Sequence, residues 1–580
     1  MKNFYNDAEH IQILIALMKA HKIKKVIASP GATNICLVAS LQNDPYFEIY
    51  SSVDERSAAY IACGLAAETG EPVALSCTGA TASRNYVPGL TEAFYRKLPI
   101  LAITATQKIE KIGHNIPQVI DRSVEQKDIF KMSVQINEIN NEDDRWASEI
   151  KINKAILSLF HKGGGPAHIN LTTDYKATYL TKELPKVRVI NRIRYNDELP
   201  LLLGNKIGIF VGAHKKWDKF LIEEVEDFCQ KYNAIVFCDH TSNYKGKYKA
   251  FSGLILTQEG YVSPCAQVDI LIHLGDISGT YLNIYPKKVW RVNPDGELCD
   301  TFKTLEYVFE MEEIDFFRKY NNNIKINDKE NSFFIEWNKE YKDFYLKDIE
   351  LPFSNVWIAQ QTILKLPKDS ILHLGILNSL RTWSYFDIDD TIIVYSNTGG
   401  FGIDGCVSSL IGASLAEPNK LFFGVVGDLA FFYDMNSIGN RHIENNLRIM
   451  IINNGRGTEF TNYGHLGSKF GNDADAYIAA AGHYGNKSNK LVKHYAEDLG
   501  FEYISASNKD EYLNKLDIFI DPKMRNKSVI FEIFTDSNDE SEAIKIMKNI
   551  KVSKKITSKR LVKSMLGENV TLGLKKILKR

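Results

Sequence analysis

The chain has 580 residues, 44% of them hydrophobic and 24% charged, and Lys+Arg and Asp+Glu both total 71. That length is too great for one ordinary core and predicts about three domains. Zero formal net charge gives no general attraction to nucleic acid or to an anionic membrane, and no apolar run reaches the ~18 residues of a transmembrane helix.

The first stretch, MKNFYNDAEHIQILIALMKAHKIKKV, predicts an amphipathic helix leading into a strand. It lacks the apolar core and small-residue cleavage site of a signal peptide, so a cytoplasmic protein is expected. The eight cysteines (36, 63, 77, 229, 238, 265, 299, 406) include no C-x-x-C pair, which favours reduced thiols over a disulfide frame or zinc site.

Apolar strands then alternate with amphipathic helices. KKVIASPG, PVALSCTG and LPILAITAT come first, then KIGIFVGA, AIVFCDH and DILIHLGD, and finally SILHLG, TIIVYSNTGG, LFFGVVGD and LRIMIINNG. These runs are continuous rather than alternating, as in strands buried on both faces of a parallel sheet. A non-periodic stretch at 177–200 and a polar one at 316–344 divide the chain. The expected fold is α/β, with three doubly wound parallel-sheet domains at 1–185, 186–345 and 346–547 and a basic tail at 548–580.

Many strands stop at Gly, Asp, Asn or Ser, and open α/β sheets bind ligands at those carboxyl ends. Within GVVGDLAFFYDMNSIGNRHIENNLRIMIINNGRG, one strand ends at Gly427-Asp428 and the next at Asn453-Asn454. A carboxylate and an amide oxygen at adjacent strand ends suit Mg²⁺, which takes few oxygens from protein and completes its shell with water and phosphate. The alternative is that these residues cap helices and close turns.

This segment resembles the G-D-x…N-N motif of thiamine-diphosphate (ThDP) enzymes of the pyruvate decarboxylase and acetolactate synthase superfamily. The resemblance implies that Asp428, the Asn454 side chain and the Arg456 carbonyl hold Mg²⁺, beside Gly427. Leu429 replaces the common third glycine, as in the menaquinone-pathway (SEPHCHC) synthase branch. VDERSAAYIACGLA is similar to the superfamily's pyrimidine-binding segment, which implies that Glu55 hydrogen-bonds N1′ of the cofactor's aminopyrimidine and promotes its activation. In SNTGGFGIDGCVSSLIGASLA, the match implies that Gly402 and Ile403 lie under the cofactor, Ile403 enforcing its bent shape. LGILNSLRTW places Asn378 and Ser379 in the same lining. The middle domain has no G-x-G-x-x-G fingerprint, so FAD is not expected.

Departures concern the substrate. Where that synthase branch carries arginines for 2-oxoglutarate and isochorismate, this chain has Thr33, Thr398 and Trp383, with Arg381 two residues before the last. Each lost charge-assisted hydrogen bond costs about 1.5–3 kcal/mol. Arg84, Arg96 or Arg456 are candidate replacements. By placement, Gln118, His114, Asn115 and Arg456 are expected to face substrate, with Thr458, Glu459, His465 and His483 on the loop beyond. The resulting expectation is a ThDP- and Mg²⁺-dependent 2-oxo acid decarboxylase or carboligase acting on small molecules. It implies a homodimer or homotetramer with active sites at the subunit interface and no nucleic-acid or membrane partner. A simple decarboxylase of phosphonopyruvate or sulfopyruvate type, SEPHCHC synthase itself and a non-catalytic ThDP-binding protein are the readings left open.

Overall fold

The computed structural model describes residues 4–173, 178–323, 330–345, 349–482 and 487–551; His483 and the basic tail from 552 onward lie outside them. The described residues fall into two compact units, one within Met1–Glu198 and Gly296–Glu310, the other within Leu199–Asp295 and Met311–Arg580. Three sheets of six, seven and six strands, each flanked by helices, form the α/β architecture that the strand runs predict.

The first sheet contains β1 (Lys25–Ala28), β2 (Glu48–Ser51), β3 (Val73–Cys77), β4 (Ile100–Thr106), β5 (Met132–Ile136) and β6 (Ala167–Thr172). Its order is β2-β1-β3-β4-β6-β5, all parallel. Every residue of β3, β4 and β6 is buried, which explains their unbroken apolar character. The chain leaves β1 toward β2 and returns on the other side with β3. The carboxyl ends of β1 and β3 therefore flank a topological switch point, where such sheets open a crevice.

The middle sheet contains β7 (Asn191–Arg194), β8 (Ile207–Val211), β9 (Ala234–Cys238), β10 (Lys249–Phe251), β11 (Gln267–Leu274), β12 (Tyr285–Val292) and β13 (Leu305–Glu310). The parallel pair β13-β7 lies in the first unit. The run β10-β9-β8-β11-β12 lies in the second.

The third sheet contains β14 (Ile371–Leu374), β15 (Ile393–Tyr395), β16 (Phe422–Gly427), β17 (Leu447–Asn453), β18 (Glu502–Ala506) and β19 (Val529–Phe534). Its order, β15-β14-β16-β17-β19-β18, is again parallel. Its switch point lies between β14 and β16. The turn after β14 leads to Asn378, and the turn after β16 leads to Asp428. A core of Val407, Leu410, Phe422, Phe431, Ile449 and Ile451, among others, holds this sheet against its helices.

Candidate active site

In β16 and β17, Gly427 stands in register with Ile452, so Asp428 and Asn454 emerge from the ends of neighbouring strands. The Asp428 carboxylate is buried, and its Oδ2 accepts a hydrogen bond from the Gly455 backbone N–H at 3.0 Å. Burial pushes this carboxyl up to about 7, with the Glu532 charge adding to the effect against three backbone hydrogen bonds. A nearby cation would reverse that balance.

The two asparagines at the end of β17 do different things, because successive residues face opposite sides of a strand. Asn453 Nδ2 donates to Glu532 Oε1 at 2.7 Å, tying β17 to β19. Asn454 Oδ1 is buried and meets no hydrogen-bond partner among the described residues. A buried amide oxygen left in this way costs stability unless something occupies it. The Arg456 carbonyl accepts from the Thr458 N–H at 2.9 Å and, at 3.5 Å, from the Thr458 hydroxyl, which can turn away. Among the described residues no group of three or more His, Cys, Asp or Glu side chains could hold a metal ion. A metal here would draw on one carboxylate plus amide and carbonyl oxygens, which is a hard-cation set.

Glu55 is the first residue of the helix Glu55–Thr69, whose start is capped by Asp54 accepting from the Arg56 N–H at 2.9 Å. The Glu55 side chain is half-buried, and its Oε2 accepts from Asn85 Nδ2 at 3.2 Å. Val53, Tyr60 and Ile61 expose apolar surface around it, Val53 to 80%.

Comparison with known proteins agrees with this chemistry. The family described as "Thiamine pyrophosphate enzyme, N-terminal TPP binding domain" matches residues 9–126. The 2-succinyl-5-enolpyruvyl-6-hydroxy-3-cyclohexene-1-carboxylate synthase of Bacteroides fragilis is 31% identical over 565 residues, covering 93% of this chain and 98% of that protein. The synthase of the same name from Bacteroides thetaiotaomicron is 31% identical over 564 residues, with the same coverage. That from Flavobacterium psychrophilum is 29% identical over 558 residues, covering 90% of this chain and 95% of its own. The chain belongs to the ThDP enzymes. It is thus an enzyme of carbon–carbon bond chemistry, and thiamine diphosphate (the pyrophosphate of the family description) is its cofactor.

The other residues that the sequence expects beside the cofactor follow β14 and β15. Leu377 turns the chain into the helix Asn378–Trp383 with φ 65°, a strained conformation for a branched residue. Asn378 meets Asn462 at 2.8 Å, and Ser379 Oγ accepts from Asn355 Nδ2 at 3.4 Å. Gly402 and Ile403 lie in the turn between β15 and the helix Cys406–Ala416, where Ile403 packs on the third-sheet core. Leu429 has room because residue 457 is a glycine: a Cβ there would lie 3.3 Å from Leu429 Cδ1.

The substrate candidates separate. Trp383 is fully buried, and its Nε1 donates to Asn355 Oδ1 at 2.9 Å, so it is a core residue rather than a pocket wall. Residues two apart on a helix point nearly opposite ways. Arg381 accordingly faces the other side, where it pairs with Glu459 and lies 5.5 Å from the Tyr281 ring. The Arg456 side chain pairs with Asp475 at 2.8 Å. His465 accepts from the Gly467 N–H at 3.1 Å through Nδ1. Thr458 is buried, and Thr398 is buried with its N–H bonded to the Ser396 carbonyl.

In the first unit, His114, Asn115 and Gln118 occupy an exposed segment between β4 and β5. Arg84 pairs with Glu125 at 3.3 Å and Arg96 with Glu92 at 3.5 Å. Thr33 is buried, its hydroxyl against that of Thr78. Two residues escape the sequence reading: Asn85, which no motif marked, and Arg122, a buried arginine in an otherwise exposed polar segment.

Proposed function

We propose that this enzyme uses ThDP with Mg²⁺ to remove CO₂ from a 2-oxo acid and to transfer the resulting acyl-anion equivalent to an acceptor, with a substrate pair different from that of its synthase relatives. The observation that carries the Mg²⁺ assignment is the buried, unpartnered Asn454 Oδ1 beside the Asp428 carboxylate at the ends of adjacent parallel strands. With the Arg456 carbonyl, these oxygens would hold Mg²⁺ on the cofactor's diphosphate. ThDP supplies the electron sink for decarboxylation.

The protein's own part is positional. Glu55 offers a carboxylate to the aminopyrimidine, and Asn85 orients that carboxylate. Ser379 is fixed through Asn355, which Trp383 also holds. Gly402 and Ile403 would support the cofactor from below, and His114, Gln118 and Arg456 would line the substrate side. The half-buried Glu55 amid exposed Val53, Tyr60 and Ile61 supports a second subunit completing the site, so a homodimer is the minimum catalytic form. Thr33, Thr398 and the inward-facing Trp383 argue against the substrate pair of the synthase branch.

The test is CO₂ release from pyruvate, 2-oxobutyrate, phosphonopyruvate and 2-oxoglutarate with ThDP and Mg²⁺, using Glu55→Gln as control. Release from at least one acid, lost in the variant, is expected. ThDP binding without release from any of the four, with or without added aldehyde acceptor, overturns the proposal. Stoichiometric free aldehyde without acceptor would make the enzyme a simple decarboxylase.

A further inference from the structure

Arg122 lies on the exposed segment between β4 and β5, yet its side chain is only 5% exposed. Nη2 donates to Asn170 Oδ1 on β6. Nε and Nη1 are buried and meet no hydrogen-bond partner among the described residues. Among the described residues no carboxylate pairs with this guanidinium: Glu125, three residues on, is engaged with Arg84 at 3.3 Å. The neighbouring Cys77 thiol, which burial pushes up to about 12, is neutral and supplies no counter-charge. Glu125 acts on Arg122 only through its charge and forms no ion pair with it, so two buried donors of this guanidinium remain unfilled at a cost that a bound anion would relieve.

Its position indicates which anion. A Cβ on Gly79, just past β3, would stand 2.8 Å from the Ala105 carbonyl and 3.4 Å from Arg122 Nη1. Thr33, just past β1, lies against Thr78 and 3.4 Å from the same Ala105 carbonyl. The guanidinium therefore lies across the carboxyl ends of β3, β4 and β6, next to the β1/β3 switch point where a sheet of this kind takes its ligand. Thr33 is also the position at which the resemblance to the synthase branch implies an arginine.

We propose that Arg122 is the carboxylate anchor of the substrate pocket, supplying from the β4–β5 segment the cation that Thr33 does not. Nη1 and Nε are the donors left without partners among the described residues; they lie on different edges of the guanidinium, so each offers a carboxylate oxygen a single charge-assisted hydrogen bond. His114, Asn115, Gln118 and Ser123 are exposed, and Asn115 and Gln118 hold left-handed backbone at φ 55° and 62°. The anchored carboxylate belongs either to the oxo acid, at the end away from the ketone, or to the acceptor. This inference rests on the proposed function only for the substrate's role, not for the binding itself.

The experiment is isothermal titration of the full chain, with and without ThDP and Mg²⁺. Succinate stands for the open-chain acid and benzoate for a ring acceptor, with succinamide and benzamide as neutral controls. At least one acid should bind tenfold or more tightly than its amide. Arg122→Met should abolish that preference and Arg122→Lys should keep part of it. A succinate preference assigns the anchor to the oxo acid, and a benzoate preference assigns it to the acceptor. Equal binding of acid and amide, or a preference that survives Arg122→Met, overturns the proposal. The arm without ThDP keeps the result independent of cofactor binding, whose failure would count against the proposed function alone. Should the variants not fold, phenylglyoxal labelling of Arg122 in the unmodified protein, read by peptide mass, must be slowed several-fold by the preferred acid; unslowed labelling is equally fatal.

Discussion

Asn85 donates its side-chain N–H to Glu55 Oε2 at 3.2 Å, so the carboxylate at the head of the helix Glu55–Thr69 is held by an amide from thirty residues further along the chain. Glu55→Gln should leave ThDP bound and lower turnover by about 10²–10⁴-fold, the usual worth of a positioned proton-transfer group. Asn85→Ala removes only the orienting contact, so a loss of about tenfold in kcat is expected with little change in KM. Steady-state kinetics of the two variants, with ThDP affinity from tryptophan fluorescence, checks both. An Asn85→Ala enzyme as inactive as Glu55→Gln would mean that Asn85 does more than orient.

Asn453 and Asn454 are adjacent but should fail differently. Asn454→Ala and Asp428→Asn should raise the Mg²⁺ concentration needed for ThDP binding by tenfold or more while leaving thermal stability nearly unchanged. Asn453→Ala leaves Glu532 buried without its 2.7 Å donor and should cost about 1–3 kcal/mol of stability without changing the Mg²⁺ requirement. Mg²⁺ titrations and urea melts of the three variants separate the roles.

The strand runs made the sheets legible, because parallel strands buried on both faces are continuously apolar. The placement of Asp428 and Asn454 at neighbouring strand ends was legible for the same reason: Asp428 is the first polar residue after one run and Asn454 the second after the next, and adjacency in a parallel sheet sets those ends side by side. Trp383 was not. Over the six-residue helix Asn378–Trp383 a two-residue offset reverses the face, and only packing shows which residue turns inward. Arg122 was hidden by composition, since an arginine in a polar loop reads as solvated until its burial is seen.

That reversal carries its own prediction. Trp383→Ala should destabilise the protein by about 3–5 kcal/mol, as for other buried tryptophans, and Trp383→Arg should be worse because it buries a charge. Neither should change substrate preference in whatever folded fraction remains. Arg381→Met should leave the melting temperature within a few degrees but alter kcat/KM, because it frees Glu459 beside Asn378. Differential scanning calorimetry and kinetics on both positions decide the assignment.

His168 gives the first unit an acid limit. Its imidazole lies between Thr104 Oγ1 at 2.7 Å and Ser133 Oγ at 2.8 Å, stacked on Phe130. Burial, then the Arg122 and Arg84 charges, press its pKa down to about 3. The folded state therefore binds this proton less readily than the unfolded chain, whose histidines titrate near 6.5. Stability from this group is intact above pH ~6.5 and falls as pH drops toward ~3, by at most about 1.4 kcal/mol per pH unit. The difference between the melting profiles of the native enzyme and His168→Gln should show that slope in this window and flatten above it.

The last prediction concerns assembly. If each active site takes Glu55 from one subunit and the Asp428–Asn454 pair from the other, then at a Mg²⁺ concentration too low for Asp428→Asn to hold ThDP the Glu55→Gln and Asp428→Asn homodimers are each inactive for different reasons. In a mixed dimer one site carries both lesions and the other carries neither. Unfolding and refolding the two variants together in equal amounts should therefore restore about a quarter of native activity, since about half of the dimers are mixed and each has one intact site. Sites built within single subunits would give no recovery at any mixing ratio. Activity of the co-refolded mixture, with mixed dimers isolated by differently tagged chains, distinguishes the two arrangements. Recovery would also explain why Val53, Tyr60 and Ile61 remain exposed in the single chain that carries Glu55.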